Sequence, residues 1–140
     1  MGRGCVGVVQ VVPQRRRVGR FGAANLGWFC NGVISVAAPH ISRHEIASSF
    51  ATACRMARIS WESAEREIAN YANCGVSRNS DPVWLLQRGA RFAVDLKIGF
   101  YDAVYIALAD RLGVNFLTAD RKLVETEAGN LSFVTYLGDL

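Results

Sequence analysis

Apolar positions along this chain follow two periods in turn, and the changes of period predict the elements. Val6-Gly7-Val8-Val9-Gln10-Val11-Val12 is short, β-branched and closed by Pro13, which predicts a buried strand. Gly32-Val33-Ile34-Ser35-Val36-Ala37 predicts a second strand, stopped before Pro39. Between them only Ala23 to Cys30 has helical character, and Gly22, Gly27 and Gly32 weaken it. From residue 41 the period lengthens. Ile41 to Arg58 predicts a helix with Ile46, Phe50, Ala53 and Cys54 or Ala57 on one face. Ser60 is placed to cap a helix reaching about Asn73, with Glu62 and Glu65 near its positive end. Cys74 to Ser80 is polar and predicts a loop.

The second half is punctuated more sharply. Asp81 stands as an N-cap before Pro82 at a first helical position, and Trp84, Leu85, Ala90, Phe92, Ala93 and Leu96 carry that helix towards Lys97. Gly99 breaks the pattern, and Tyr101 to Leu112 forms a new periodic run closed by Gly113. Val114 to Thr118 predicts a strand, Asp120 to Glu127 a short helix, and Leu131 to Tyr136 a last strand. Strands alternating with helices imply an α/β domain, a parallel sheet with helices on both faces, spanning residues 1–140 as one unit.

Composition adds limits. The chain has 140 residues, 51% of them apolar, which suffices for a real core. No apolar run approaches the ~20 residues of a membrane span. The Val6–Val12 stretch lacks a signal-peptide cleavage site, and Val6 stands where a myristoylation signal needs Ser or Thr. A cytoplasmic protein with no membrane partner is expected. Cys5, Cys30, Cys54 and Cys74 include no C-x-x-C pair and are expected to be reduced packing residues. His40 and His44 share helical spacing, but the order H-E-x-x-H is absent, so a zinc site is not expected.

Charge is unevenly placed. The net charge is +4, yet residues 1–44 hold six arginines (Arg3, Arg15, Arg16, Arg17, Arg20 and Arg43) and no acid. Arg15-Arg16-Arg17 reads as a solvated turn ahead of a phosphate-binding patch.

Sites in parallel α/β sheets form beyond the carboxyl ends of the strands. Asp120 follows such an end, Asp102 opens the preceding helix, and Glu45 lies early in the helix after the second strand. Three carboxylates meeting there would repel unless a cation neutralised them. Hard oxygen ligands suit Mg²⁺ or Mn²⁺, ions that orient water and stabilise a leaving oxygen in phosphodiester cleavage. From spacing alone, a helix-end charge, a cap and a solvated residue explain the same three acids.

Two blocks go further. Tyr101-Asp102-Ala103-Val104-Tyr105-Ile106-Ala107-Leu108-Ala109-Asp110, with Leu112-Gly113-Val114 and Phe116-Leu117-Thr118-Ala119-Asp120-Arg121-Lys122-Leu123, resembles the C-terminal signature of PIN domains. Within that group it is most similar to the VapC-type toxins of toxin–antitoxin pairs. Ala38-Pro39-His40 to Glu45-Ile46-Ala47 resembles the family's second acidic motif, and the likeness covers about residues 33–138. The resemblance implies a three-layer α/β/α sandwich, usually a homodimer, and a Mg²⁺- or Mn²⁺-dependent endoribonuclease restrained by a cognate antitoxin. It makes Glu45, Asp102 and Asp120 the catalytic, metal-binding acids and Thr118 a supporting hydroxyl beside them.

The chain departs from the family at its start. The family opens with a strand ending in Asp; here Val9 and Gln10 stand where that acid would be sought. Residues 1–31 are therefore expected to be divergent or frame-shifted, and residues 6–12 must substitute for a central strand or leave the sheet incomplete. A catalytically impaired PIN-like module that docks an antitoxin or RNA is the alternative. A receiver-like phosphoacceptor is disfavoured, because it needs an acidic pair after the first strand. Arg88 and Arg91 on one helix, with Lys97, and Arg121 and Lys122 beside Asp120, are candidate RNA-backbone contacts. Trp28, Phe29, Trp61, Trp84, Phe100, Tyr101 and Tyr105 are candidate base-stacking residues, with Trp84 and Tyr105 fitting a core or dimer face better.

Overall fold

The computed structural model describes residues 7–11, 35–74 and 76–139. Arg15–Arg17, the candidate helix at residues 23–30, Trp28, Phe29, Cys5 and Cys30 lie outside the described residues, as does most of the atypical segment 1–31. The elements run β1 (Gly7–Val11), β2 (Ser35–Pro39), α1 (Ser42–Arg55), α2 (Trp61–Asn73), β3 (Ser77–Asn79), α3 (Val83–Leu96), α4 (Phe100–Leu112), β4 (Asn115–Thr118), α5 (Arg121–Val124) and β5 (Val134–Tyr136). Short 3₁₀ turns follow at Glu127–Asn130 and Leu137–Asp139. Among the described residues no helix is long and apolar enough to cross a membrane.

The class is α/β, as expected, with a five-stranded sheet in the order β3-β2-β1-β4-β5. β2 pairs parallel with β3, and β4 parallel with β5. Residues 7–11 do supply the central strand, but it runs antiparallel to both neighbours. Val9 pairs with Ala37 on one side and Phe116 on the other, and Gly7 pairs with Thr118. β2 and β4 therefore end level, about 10 Å apart across one intervening strand. β3 lies within a stretch read as loop. Ser-Arg-Asn has no strand pattern, and as an edge strand it is held by backbone pairing to Ala37–Pro39.

α4 is the central helix. It packs against β1, β2 and β4, and every residue from Ala103 to Ala109 is buried. That burial on all faces replaces the one-sided stripe expected from its period. Gly113, at φ 66°, closes α4 in the left-handed conformation that favours glycine. α3 lies against α4 at close range: a Cβ on Gly89 would sit 2.8 Å from Val104 Cγ2. The core joins Leu85, Val104, Tyr105, Ile106, Leu108, Phe116 and Leu123, each large side chain contributing roughly 1.5–3 kcal/mol.

Boundaries moved for local reasons. Ser60 caps α2 as predicted, its hydroxyl accepting the Ser63 N–H at 3.2 Å. Asp81 does not cap α3; its carboxylate accepts the His40 N–H at 3.1 Å, which ties the exit of β2 to the start of that helix, while Pro82 takes the cap position. β2 extends through Pro39, because its parallel partner there, Asn79, ends the edge strand. On α3, Leu85 and Gly89 are buried and Phe92 and Leu96 half-buried, whereas Trp84 and Ala90 face outward. Cys54 and Cys74 are half-buried, their thiols donating to the Ser60 and Tyr71 carbonyl oxygens.

Candidate active site

The sheet gathers three helix starts at one rim. β2 ends at Pro39 and α1 begins at Ser42, so Glu45 falls in the first turn of α1. α4 runs back through Gly113 into β4, which sets its first turn, with Asp102, over the end where β4 finishes at Thr118. Asp120 follows two residues later as the N-cap of α5. Helix N-termini carry partial positive charge, which favours the acids they hold.

Glu45 and Asp102 meet electrostatically. Burial pushes the Glu45 carboxyl above its ordinary value, a hydrogen bond from Tyr105 pulls it back, and the charge of Asp102 raises it again. The Tyr105 hydroxyl donates to Glu45 Oε2 at 2.5 Å. Burial, then the bond to Glu45 and the charges of Glu45, Tyr71 and Asp102, hold that phenol far above the usual tyrosine range. Beside this pair Tyr71 donates to the buried Ser42 hydroxyl at 3.0 Å.

Asp120 is engaged differently. Its Oδ1 accepts the backbone N–H groups of Lys122 and Leu123, at 2.8 and 3.3 Å. Its own N–H donates to Thr118 Oγ1 at 3.0 Å, and Thr118 is fully buried. The carboxylate is turned onto the start of α5, and the three acids share a rim without closing into one cluster. Among the described residues no group of three His, Cys, Asp or Glu side chains is placed to hold a metal. Mg²⁺ is commonly held by one or two carboxylates with water and phosphate oxygens completing its shell, and Glu45 with Asp102 supplies a donor set of that chemistry.

The basic candidates have partners. Arg88 pairs with Asp110 at 2.9 Å and lies over the Phe92 ring; Arg91 pairs with Asp95 at 2.8 Å. Both pairs are exposed, worth about 0–1 kcal/mol each, so a phosphate could displace either. Arg121 lies 4.7 Å from the Tyr136 ring centroid, and Lys122 is exposed. Of the aromatics, Tyr105 is core, 1% exposed, and Trp84 is 43% exposed under Arg111. Phe100 and Tyr101 form an exposed edge-to-face pair next to Asp102.

The hydroxyl of Tyr105 is the functional group that pattern reading missed. Its aromatic body fits the core, and the signal for its polar end is its place three residues after Asp102, on the same helix face.

No family model matches this chain. Over 98 residues it is 26% identical to "Exonuclease VapC9" of Pyrobaculum aerophilum, an alignment covering 70% of this chain and 71% of that protein.

Proposed function

We propose that this protein is a metal-dependent endoribonuclease, a VapC-like toxin that hydrolyses RNA phosphodiesters with Mg²⁺ or Mn²⁺ held by Glu45 and Asp102, with Asp120 as the third acid of the same rim. One observation carries the reading: two acids from helices far apart in sequence, Glu45 and Asp102, stand at one sheet rim closely enough for the charge of Asp102 to raise the Glu45 carboxyl. Such repulsion is retained at a cost unless a cation relieves it. The similarity to a relative named as a VapC exonuclease supports a nuclease of the toxin–antitoxin kind.

When bound, the ion supplies an activated water and stabilises the leaving oxygen. Glu45 and Asp102, in the first turns of two helices, would offer it carboxylate oxygens. Tyr105 keeps one Glu45 oxygen occupied and its carboxylate oriented. Thr118 fixes the Asp120 backbone, and so the turn on which the third acid stands. Arg121 and Lys122 follow Asp120 directly in the chain, and in this reading they guide a phosphate backbone towards the acids. A cognate antitoxin and a second copy of the chain are the expected partners.

The relative's name says exonuclease, and the endonuclease reading is tested against it by comparing circular with end-labelled linear RNA in Mn²⁺. Cleavage of the circle supports endonucleolysis; degradation confined to the linear RNA supports the other polarity. The second reading, a non-cleaving module that docks an antitoxin or RNA, is favoured by the reversed β1 and by the use of Asp120 as a helix cap. Titrating Mn²⁺ during thermal unfolding separates the two, because an ion that binds only the folded state raises its stability. No shift up to millimolar Mn²⁺ favours the docking module.

A further inference from the structure

We propose that Tyr105 is a positioning residue whose phenol, by holding Glu45 Oε2, fixes the Glu45 carboxylate where it meets the divalent ion. This rests on the metal-site reading above and adds a residue to it.

The geometry is a single reach from α4 to the first turn of α1. Asp102 and Tyr105 are three apart on α4, and Ser42 and Glu45 are three apart on α1, so each pair shares a face. Tyr105 reaches across 60 positions of sequence to Glu45. The first turn of α1 has no side-chain cap; its N-cap is Ile41. Side chains from other helices bond to it instead, Tyr105 to Glu45 and Tyr71 to Ser42, while Asp81 holds the His40 N–H just ahead of it.

The tyrosine is also built as a rigid support. It is 1% exposed, and its ring stacks on Phe116 with centroids 5.9 Å apart. A phenylalanine there would make the same ring contacts without burying a hydroxyl, a group that is costly in a core unless bonded. What the hydroxyl adds is the bond to Glu45. A flexible glutamate held at one oxygen loses much of its freedom before the ion arrives. Groups that orient metal-binding side chains typically change metal affinity by 10–100-fold when removed.

The test compares the wild type, Tyr105→Phe and Glu45→Gln, each first shown to unfold cooperatively in EDTA, by calorimetric titration with Mn²⁺ alone. The proposal expects Tyr105→Phe to bind Mn²⁺ about 10–100-fold more weakly while remaining folded. Wild-type affinity in Tyr105→Phe, with Glu45→Gln weakened, overturns the proposal and leaves the metal-site reading standing. A wild type that binds no Mn²⁺ at millimolar concentration overturns both. A second measurement needs no variant: in wild-type protein with ¹³Cζ-labelled tyrosine, saturating Mg²⁺ is expected to move the Tyr105 resonance, and one that stays in place overturns the proposal.

Discussion

Gly7 is the register partner of Thr118, at the rim where β4 ends and the acids gather. β1 thus enters this rim by its first residue, and its last, Val11, pairs with Ser35 at the opposite edge. In an all-parallel arrangement the central strand would deliver a carboxylate to the rim by its carboxyl end. Here the reversal, together with an acid-free sequence, leaves the charge of the rim to α1, α4 and the turn after β4.

Asp120 has two jobs open to it, and two substitutions tell them apart. Asparagine caps a helix about as well as aspartate, whereas alanine costs about 0.5–2 kcal/mol. Asp120→Asn is expected to unfold with the wild type and Asp120→Ala to lose roughly 1 kcal/mol in urea. If the carboxylate charge holds the ion, both lose RNA cleavage in Mn²⁺. Full cleavage by Asp120→Asn would reduce Asp120 to a cap.

Thr118 is fully buried and accepts the Asp120 N–H. Thr118→Val keeps the shape and deletes that acceptor, with an expected loss of about 1–3 kcal/mol from an orphaned donor. Urea unfolding checks it. An unchanged midpoint would mean that water or another group takes over the Asp120 N–H.

Glu45 makes stability depend on pH with a definite sign. Its folded-state carboxyl is raised above the ordinary value of 4.5, chiefly by burial. The folded chain gives up that proton less readily than the unfolded chain, so this contribution is present at low pH and is lost as pH rises through the folded value. In EDTA, Glu45→Gln should gain stability relative to the wild type as pH rises above the ordinary glutamate value of 4.5, the two Tm curves meeting at the acid end. A wild type that gains on the variant as pH rises contradicts the assignment.

The contact between Gly89 and Val104 predicts that alanine is too large at 89. Helix propensity favours Gly89→Ala by up to about 1 kcal/mol, but its Cβ would lie 2.8 Å from Val104 Cγ2 and 3.3 Å from Val104 Cα. Overpacking of that kind costs about 1–3 kcal/mol, so a net loss near 1 kcal/mol is expected on unfolding. Net stabilisation would show that α3 and α4 can separate freely.

Much of this architecture was legible from local signals that agree with the tertiary environment. The Ser60 cap, the Gly113 terminator and the α4–β4 block each combine a turn residue with a clear period, and each stands where the pattern put it. What was not legible depends on neighbours. The direction of β1 leaves no trace in a run of valines, because a strand reads the same in either sense. β3 is held by its partner's backbone. Asp81 was drawn off its cap position by the His40 N–H, 41 residues away. The acids Glu45 and Asp102 could be placed by topology, but the Tyr105 hydroxyl between α4 and α1 needed coordinates.

Arg121 and Lys122 lie beside the rim, so their removal should weaken RNA binding with little regard to sequence. For single-stranded RNA each lost phosphate contact lowers the salt slope by about 0.7. Arg121→Ala/Lys122→Ala is expected to reduce the slope by about 1.4 if both side chains contact phosphate, measured by fluorescence anisotropy across a salt series. An unchanged slope would return both residues to the solvated surface.

The central claim is that the acids of this rim hold a divalent ion that cleaves RNA. Its most direct test follows structured RNA over time with Mn²⁺ and with EDTA, in the wild type and in Asp102→Asn. The account predicts cleavage by the wild type in Mn²⁺ alone and a rate about 10–100-fold lower in Asp102→Asn, on the order of one lost group at a metal site. Cleavage that persists in EDTA, or equal rates in the two proteins, would contradict it.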